Sequence, residues 1–494
     1  VPERVNDDGS VWLGIDLGTQ SVRALAVDAD GRVWGGASSP LESHREGVRH
    51  EQGPEEWWVA AQAVCRAALV DVPAAAVRGV AVCATSGTIL LADRHGNPLT
   101  GGLMYDDGRA REEAPRVIEA GAALWAELGY QPQPSWALPK LLWLLKHTSA
   151  PPGTRLLHQA DFLTTRLVGR LTAADSSHAL KTGYDLVRGT WPTALLEALD
   201  VPTELLPAVV RPGSVLGEVC AVAADATGIP AGTAVVAGMT DGCAAQLGAG
   251  ALEVGSWNSV LGTTLVLKGV TTERVRDPLG VLYSHRASDG NWLPGGASSV
   301  GAGVLSRAFP DRDLAALDER AAGYEPSTVL TYPLVSRGER FPFVAPQAEG
   351  FTVGTPRDEA DQYASLLQGV AFVERLCFDY LDLLGAPVDG QVTLTGGGAR
   401  SSYWCQLRAD VLGREVAVPD NAEAALGMAI LARARDGSPA PVARRMVRLR
   451  RTFHPRPGRT DRLLDAHLRL VEELSARGWL PETLAQHAKR RAEA

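Results

Sequence analysis

The sequence predicts an α/β protein built in two halves, and three observations carry that reading. The chain has 494 residues, more than a single hydrophobic core usually serves, so two large domains are expected. Short apolar runs ending in glycine turns alternate with longer stretches of helical periodicity, the pattern of strands and helices sharing a sheet. A strand, a Gly-Thr turn and a second strand occur near the N-terminus and recur past the midpoint, as in one design used twice. The composition, 45% hydrophobic and 21% charged, excludes a disulfide miniprotein, a coiled coil, collagen and a wholly disordered chain.

The elements follow in order. Residues 11–15 (VWLGI) form an apolar strand that ends at Asp16-Leu17-Gly18-Thr19-Gln20. Residues 21–28 alternate as a second strand, and the Asp30-Gly31 turn returns the chain into a third, so Gly18 and Thr19 lie between antiparallel strands. That placement differs from a P-loop or dinucleotide fingerprint, which must open a helix. Pro54 starts an amphipathic helix over 55–70, and 77–85 is a buried strand running into Ser86-Gly87-Thr88. Residues 89–93 and 98–102 flank a turn, 110–206 read as mostly helical, and 235–237 is a short strand ending at Gly238-Met239-Thr240-Asp241-Gly242. The opening pattern then returns: 255–260, the turn Leu261-Gly262-Thr263-Thr264, and 265–267. A strand at 392–395 meets Gly396-Gly397-Gly398, between helices at 363–384 and 423–434, and a helix at 460–476 belongs to an Arg-rich tail.

Charge and cysteine usage narrow the partners. A net charge of -9 repels a polyphosphate backbone, so no nucleic-acid partner is expected. No window approaches 18 uninterrupted apolar residues, so no membrane span is expected, and residues 1–10 lack the apolar core of a signal peptide. Six scattered Cys without metal-like spacing fit a reduced cytoplasm, and His158, His178 and His285 have no ligand-spaced partners. Trp57, Trp58 and Trp143 read as core, and 444–451 as a solvated or subunit-contact surface. A homodimer is the base-rate oligomer.

The glycine turns suggest a nucleotide site. Backbone N–H groups and hydroxyls at Gly18-Thr19 and Gly262-Thr263 can bind phosphate oxygens, and the glycine run at 396–398 lets a flat base approach backbone. Asp16 and Asp241 each sit at a strand end. Phosphoryl transfer needs charge screening and an acceptor for the hydroxyl proton, and two carboxylates can divide those tasks. Either aspartate also fits a plain turn or helix cap. No GxSxG, HExxH or Walker lysine is present.

Eight segments together resemble the FGGY carbohydrate kinases: GIDLGTQSVRA (14–24), CATSGT (83–88), MYDDGRA (104–110), LPKLLW (138–143), GMTDGCAAQLGAG (238–250), LGTT (261–264), TLTGGGARSSYWCQLRADVLG (393–413) and EAALGMA (423–429). The resemblance implies two actin-like (ribonuclease H-like) domains flanking a nucleotide and sugar cleft. It implies ATP and Mg2+ as cofactors and phosphorylation of a terminal hydroxyl on a small sugar or polyol. The domains expected are 10–252, sugar-binding, 253–440, nucleotide-binding, and a helical appendage at 441–494.

Carried over by motif, Asp241 resembles the general base and Asp16 the first-strand aspartate at the metal or reactive hydroxyl, making both candidate metal ligands. Gly18, Thr19, Gln20 and Ser21 resemble the first phosphate turn, and Gly262, Thr263 and Thr264 the second. Gly397 and Gly398 resemble the adenosine turn, with Ser401 near the base or ribose. Ser86, Gly87, Asp106, Asp107 and Arg109 fall where the family contacts its sugar. A small residue at 86 differs from many xylulose and glycerol kinases, and Gly242-Cys243 replaces an amide-bearing pair of glycerol kinases. The motifs look most like the ketopentose branch, with D-ribulose ahead of D-xylulose. L-ribulose, a polyol, a sugar acid, or a non-catalytic sugar or ATP sensor remain alternatives.

Overall fold

A computed structural model describes residues 9–493. Residues 1–8, which carry most of the segment expected to lack a signal peptide, lie outside the described residues. Two compact units emerge. The first holds residues 9–250 together with His285–Trp292 and Asn421–Arg448; the second holds Ala251–Ser284, Leu293–Asp420 and residues 449–493.

In the first unit the strand Val11–Leu17 pairs antiparallel with Ser21–Asp28, which pairs antiparallel with Val33–Pro40. On its other edge it pairs parallel with Val77–Ala84, then come Ala234–Val236, parallel, and Val215–Glu218, antiparallel. The crossover helix Pro54–Ala68 has Pro at its first turn with Glu55 and Glu56 beside it, and buries Trp57, Ala60, Ala61, Val64, Cys65 and Ala68 at helical spacing. A small five-stranded sheet carries Arg49–Gln52, Gly102–Leu103 and Ile89–Ala92. Of the segment 98–102 expected beyond the turn, only Gly102 is in a strand, Gly102–Leu103, with a bridge between Ala92 and Pro98, and Trp57 fills the space a side chain would need at Gly102.

The second unit repeats that order. Trp257–Leu261 and Leu265–Gly269 form the antiparallel pair around the Gly262 turn, flanked by Trp292–Ala297. Val392–Thr395 and Val416–Pro419 add parallel strands, and Leu449–Phe453 closes the edge antiparallel. The long helix Glu359–Leu383 lies at its core, where its Phe378 meets Trp257 edge-on with ring centroids 6.1 Å apart.

Besides the place of His285–Trp292 in the first unit, the linear domain boundaries expected from the sequence differ from these units in two ways. The helix Ala424–Ala434 packs on the first strand and on the helix Asp241–Gly248, within the first unit. The tail is no appendage: its 449–453 strand joins the second sheet, and Leu463, Leu470, Val471 and Leu474 of the helix Pro457–Ala476 are buried in that unit's core. Gly14 explains the first difference. A Cβ there would lie 1.7 Å from Ala425 O and 2.8 Å from Ala429 N, so only glycine lets the helix seat on the strand. Gly14→Ala should destabilise the chain by at least about 3 kcal/mol, the upper range of overpacking, because the obstacle is backbone. A thermal melt checks this, and an unchanged midpoint would contradict the seating.

Candidate active site

Asp16 ends the first strand directly opposite Cys83 in the parallel register, and Cys83 Sγ lies 3.5 Å from its Oδ1. Burial, then the negative charge of Asp241, push its carboxyl up to about 6. Asp241 opens the helix Asp241–Gly248, with Thr240 as the extended residue before it. Its Oδ1 accepts from Gly242 N at 2.7 Å, and its other oxygen has no hydrogen bond among the described residues. The structure thus brings together the two aspartates that the sequence could only place at separate strand ends. Glu423, at the head of the Ala424–Ala434 helix, adds further negative charge toward Asp16.

Two opposed carboxylates fit a hard divalent cation. Among the described residues no group of three or more His, Cys, Asp or Glu forms an all-protein cage. One or two carboxylates completed by phosphate and water is the usual Mg2+ arrangement, so Asp16 and Asp241 suit that ion.

The Gly18 turn is held by Gly18 N donating to Ser21 O at 3.0 Å and Leu41 N to Gln20 O at 2.9 Å. Gln52, not singled out from sequence, pins the turn by donating to Thr19 O at 2.7 Å, while accepting from Trp57 Nε1 at 2.8 Å. Thr19 and Ser21 are partly exposed and Gln20 is exposed.

The expected sugar contacts divide. Asp107 is fully buried and spent: it accepts from His50 N at 2.7 Å and from Arg109 Nε and Nη2 at 3.0 and 2.9 Å. Arg109 also reaches Glu51 at 2.7 Å and stacks 4.5 Å over Trp143. These two residues brace the loop, and Trp143, expected as plain core, is part of that brace. Asp106 stays partly exposed, bound to His50 Nδ1 and to Arg45 at 3.0 Å. Partial burial raises its carboxyl, but the hydrogen bonds from His50 and Arg45 outweigh it and hold it below the usual range.

At the Thr85–Thr88 turn, Ser86 Oγ is buried without a hydrogen-bond partner among the described residues, and Lys181 Nζ donates to Ser86 O at 3.2 Å. Lys140, of the LPKLLW segment, is fully buried and donates to Met104 O at 2.7 Å; burial, then the neighbouring Lys181 charge, pull it down to about 7. Lys181 and His50 carry no local motif. Only the fold brings them to this wall.

In the second unit the turn Gly262–Thr264 is braced by Gly262 N to Thr264 O at 3.1 Å and by Ala302 N and Gly303 N donating to Gly262 O and Thr263 O. Thr263 is exposed. Gly396 adopts φ +82, and a Cβ there would lie 2.6 Å from Leu261 O, so glycine is required. A Cβ on Gly397 would meet nothing within 4 Å, and one on Gly398 would press on Leu261. Ser401 is committed: its hydroxyl donates to Asp318 at 2.7 Å and accepts from Trp404 N at 2.9 Å as the cap of the helix Ser402–Leu412. It shapes the turn as a cap instead of offering a free hydroxyl.

Two sheets of one strand order, a Gly-Thr turn in each, and a carboxylate pair at the strand ends define the class, a two-domain phosphotransferase of the actin-like, ribonuclease H-like fold. The family models for the FGGY carbohydrate kinase N-terminal and C-terminal domains match residues 11–248 and 257–434. The chain belongs to the FGGY family of carbohydrate kinases. It is 33% identical to the xylulose kinase of Streptomyces rubiginosus over 458 residues, covering 89% of this chain and 91% of the relative. It is 34% identical to the xylulose kinase of Streptomyces coelicolor over 443 residues, covering 85% and 87%. The crystal structure of a xyloylose kinase from Brucella ovis superposes with a TM-score of 0.86 at 24% identity, over 95% of this chain and 99% of that one, a likeness of fold.

Proposed function

We propose that the chain transfers the γ-phosphate of ATP to the terminal hydroxyl of a ketopentose, D-xylulose ahead of D-ribulose, giving the 5-phosphate and ADP. The observation that carries the reading is the half-buried, electrostatically coupled Asp16–Asp241 pair in a chain of this family, whose relatives named above include two xylulose kinases. Those relatives support placing D-xylulose first, where the motifs put D-ribulose ahead. The unspent oxygen of Asp241 accepts the proton of the acceptor hydroxyl as the oxygen attacks phosphorus. Asp16 holds the metal side of the reacting centre, where Mg2+, when bound, screens phosphate charge. In the first unit the Gly18–Ser21 turn, and in the second the Gly262–Thr264 turn, each supply backbone N–H groups and hydroxyls for phosphate oxygens, and Gly397, with Gly398 packed on Leu261 beside it, offers open backbone to the adenosine. Ser86 and Gly87, at a turn held by Lys181, and Asp106, on a loop held rigid by Asp107 and Arg109, contact the sugar. All six cysteines are free thiols, which supports a cytoplasmic location.

A coupled ADP-release assay over D-xylulose, D-ribulose, L-ribulose, xylitol, glycerol and gluconate tests the proposal. D-Xylulose should show the highest kcat/KM with D-ribulose next. Turnover of a polyol or sugar acid above every ketopentose would replace the substrate named here, and ATP binding without turnover of any acceptor would favour a sensor.

A further inference from the structure

Beneath the peptide that carries Asp241 lies a buried charged cluster that the reaction above leaves unused. Asp175 caps the helical turn Ser176–Ala179: its Oδ1 accepts from Ser177 N at 2.9 Å, from Ser177 Oγ at 2.6 Å and from His178 N at 3.1 Å. Its Oδ2 lies 2.5 Å from His178 Nδ1, and His178 Nε2 lies 3.2 Å from Ala84 O. A carboxylate and a carbonyl only accept, so both ring nitrogens donate and His178 is an imidazolium. Burial disfavours that charge, but the Asp175 carboxylate outweighs it and lifts His178 to about 9. Ser177 and His178 are fully buried and Asp175 is nearly so.

The cluster touches the site at two points. Ser177 Oγ, its proton spent on Asp175, accepts from Thr240 N at 2.9 Å. Ala84, held by His178, bridges to Thr240 where the two parallel strands end. One ion pair therefore fixes both the carbonyl that closes the Cys83 strand and the N–H immediately before Asp241. A second buried pair, His158 Nδ1 with Asp161 Oδ2 at 2.6 Å, lies alongside, the two imidazoles 6.2 Å apart. Buried ion pairs are often no more stable than apolar replacements of the same shape, so stability alone does not account for this one.

Resting on the reading of Asp241 as base, we propose that Asp175, Ser177 and His178 are positioning residues, which hold the Thr240–Asp241 peptide so that the free Asp241 oxygen meets the acceptor hydroxyl. Steady-state kinetics of Ser177→Ala and Ser177→Thr, with the best acceptor of the panel and normalised to folded enzyme, test it. Ser177→Ala should lower kcat by about 10- to 100-fold, the usual consequence of a small misplacement, with both KM values little changed. Ser177→Thr, which keeps the hydroxyl, should recover most of the rate. In an Asp241→Asn background Ser177→Ala should cost little more, since its effect passes through Asp241. An unchanged kcat per folded molecule in Ser177→Ala, or a lowered melting midpoint as its sole effect, would overturn the positioning role. Full activity of Asp241→Asn alone would instead overturn the reading of the base.

Discussion

Asp241→Asn should lower kcat by about 1,000-fold, within the range that general-base catalysis contributes, while ATP still binds. The substitution is nearly isosteric. The amide oxygen can still accept from Gly242 N, so the head of the Asp241–Gly248 helix keeps its hydrogen bond and only the proton acceptor is lost. Steady-state kinetics beside an ATP-binding isotherm separate the two effects. A variant with normal kcat would remove Asp241 from the reacting centre, and one that loses ATP affinity with kcat intact would give it a binding role instead.

Asp175→Ala should be strongly destabilising. It strands the His178 imidazolium in a fully buried position and removes the acceptor of three hydrogen bonds. Breaking one partner of a buried pair costs about 3–5 kcal/mol, on the order of 10 °C in melting midpoint for a domain of this size. The loss depends on pH with a definite sign. His178 is raised from 6.5 to about 9, so its contribution is complete below pH 6.5 and disappears as pH climbs through 9. Asp175 is held low by its hydrogen bonds and by His178, although burial opposes this, so its contribution is present above the ordinary carboxylate range and fades in acid. The gap in midpoint between the native chain and Asp175→Ala should be widest near pH 5–6 and narrow above pH 9. A gap that stays constant from pH 5 to pH 10 would mean that His178 carries no charge in the fold.

Much of the candidate site is written locally, and those parts read directly from the sequence. An apolar run that stops at a glycine turn marks a strand end, and Asp16, Gly18, Thr19, Gly262 and Thr263 lie at such ends in the structure. What the sequence hides is set by contacts between distant segments. The return of the Ala424–Ala434 helix to the first sheet depends on the missing Cβ of Gly14, and no pattern near residue 424 announces it. The tail looks polar and Arg-rich, yet its apolar residues fall on one helical stripe that fills the second core.

The sugar loop shows the same limit at the scale of single side chains. Asp106, Asp107 and Arg109 share one acidic-plus-Arg motif, but pairing with His50, Glu51 and Trp143 turns two of them inward and leaves Asp106 the most exposed of the three. His178 is read from sequence only for metal-ligand spacing, which it lacks; its partner is a carboxylate three residues upstream, a spacing that suits an ion pair on one helical turn.

The most direct test of the central claim is to map the product. The chain incubated with D-xylulose, ATP and Mg2+, followed by phosphorus and carbon NMR, should yield one sugar phosphate whose phosphorus couples to C5, formed in equal amount to ADP. Phosphate on any other carbon, or ADP released without sugar phosphate, would contradict the account.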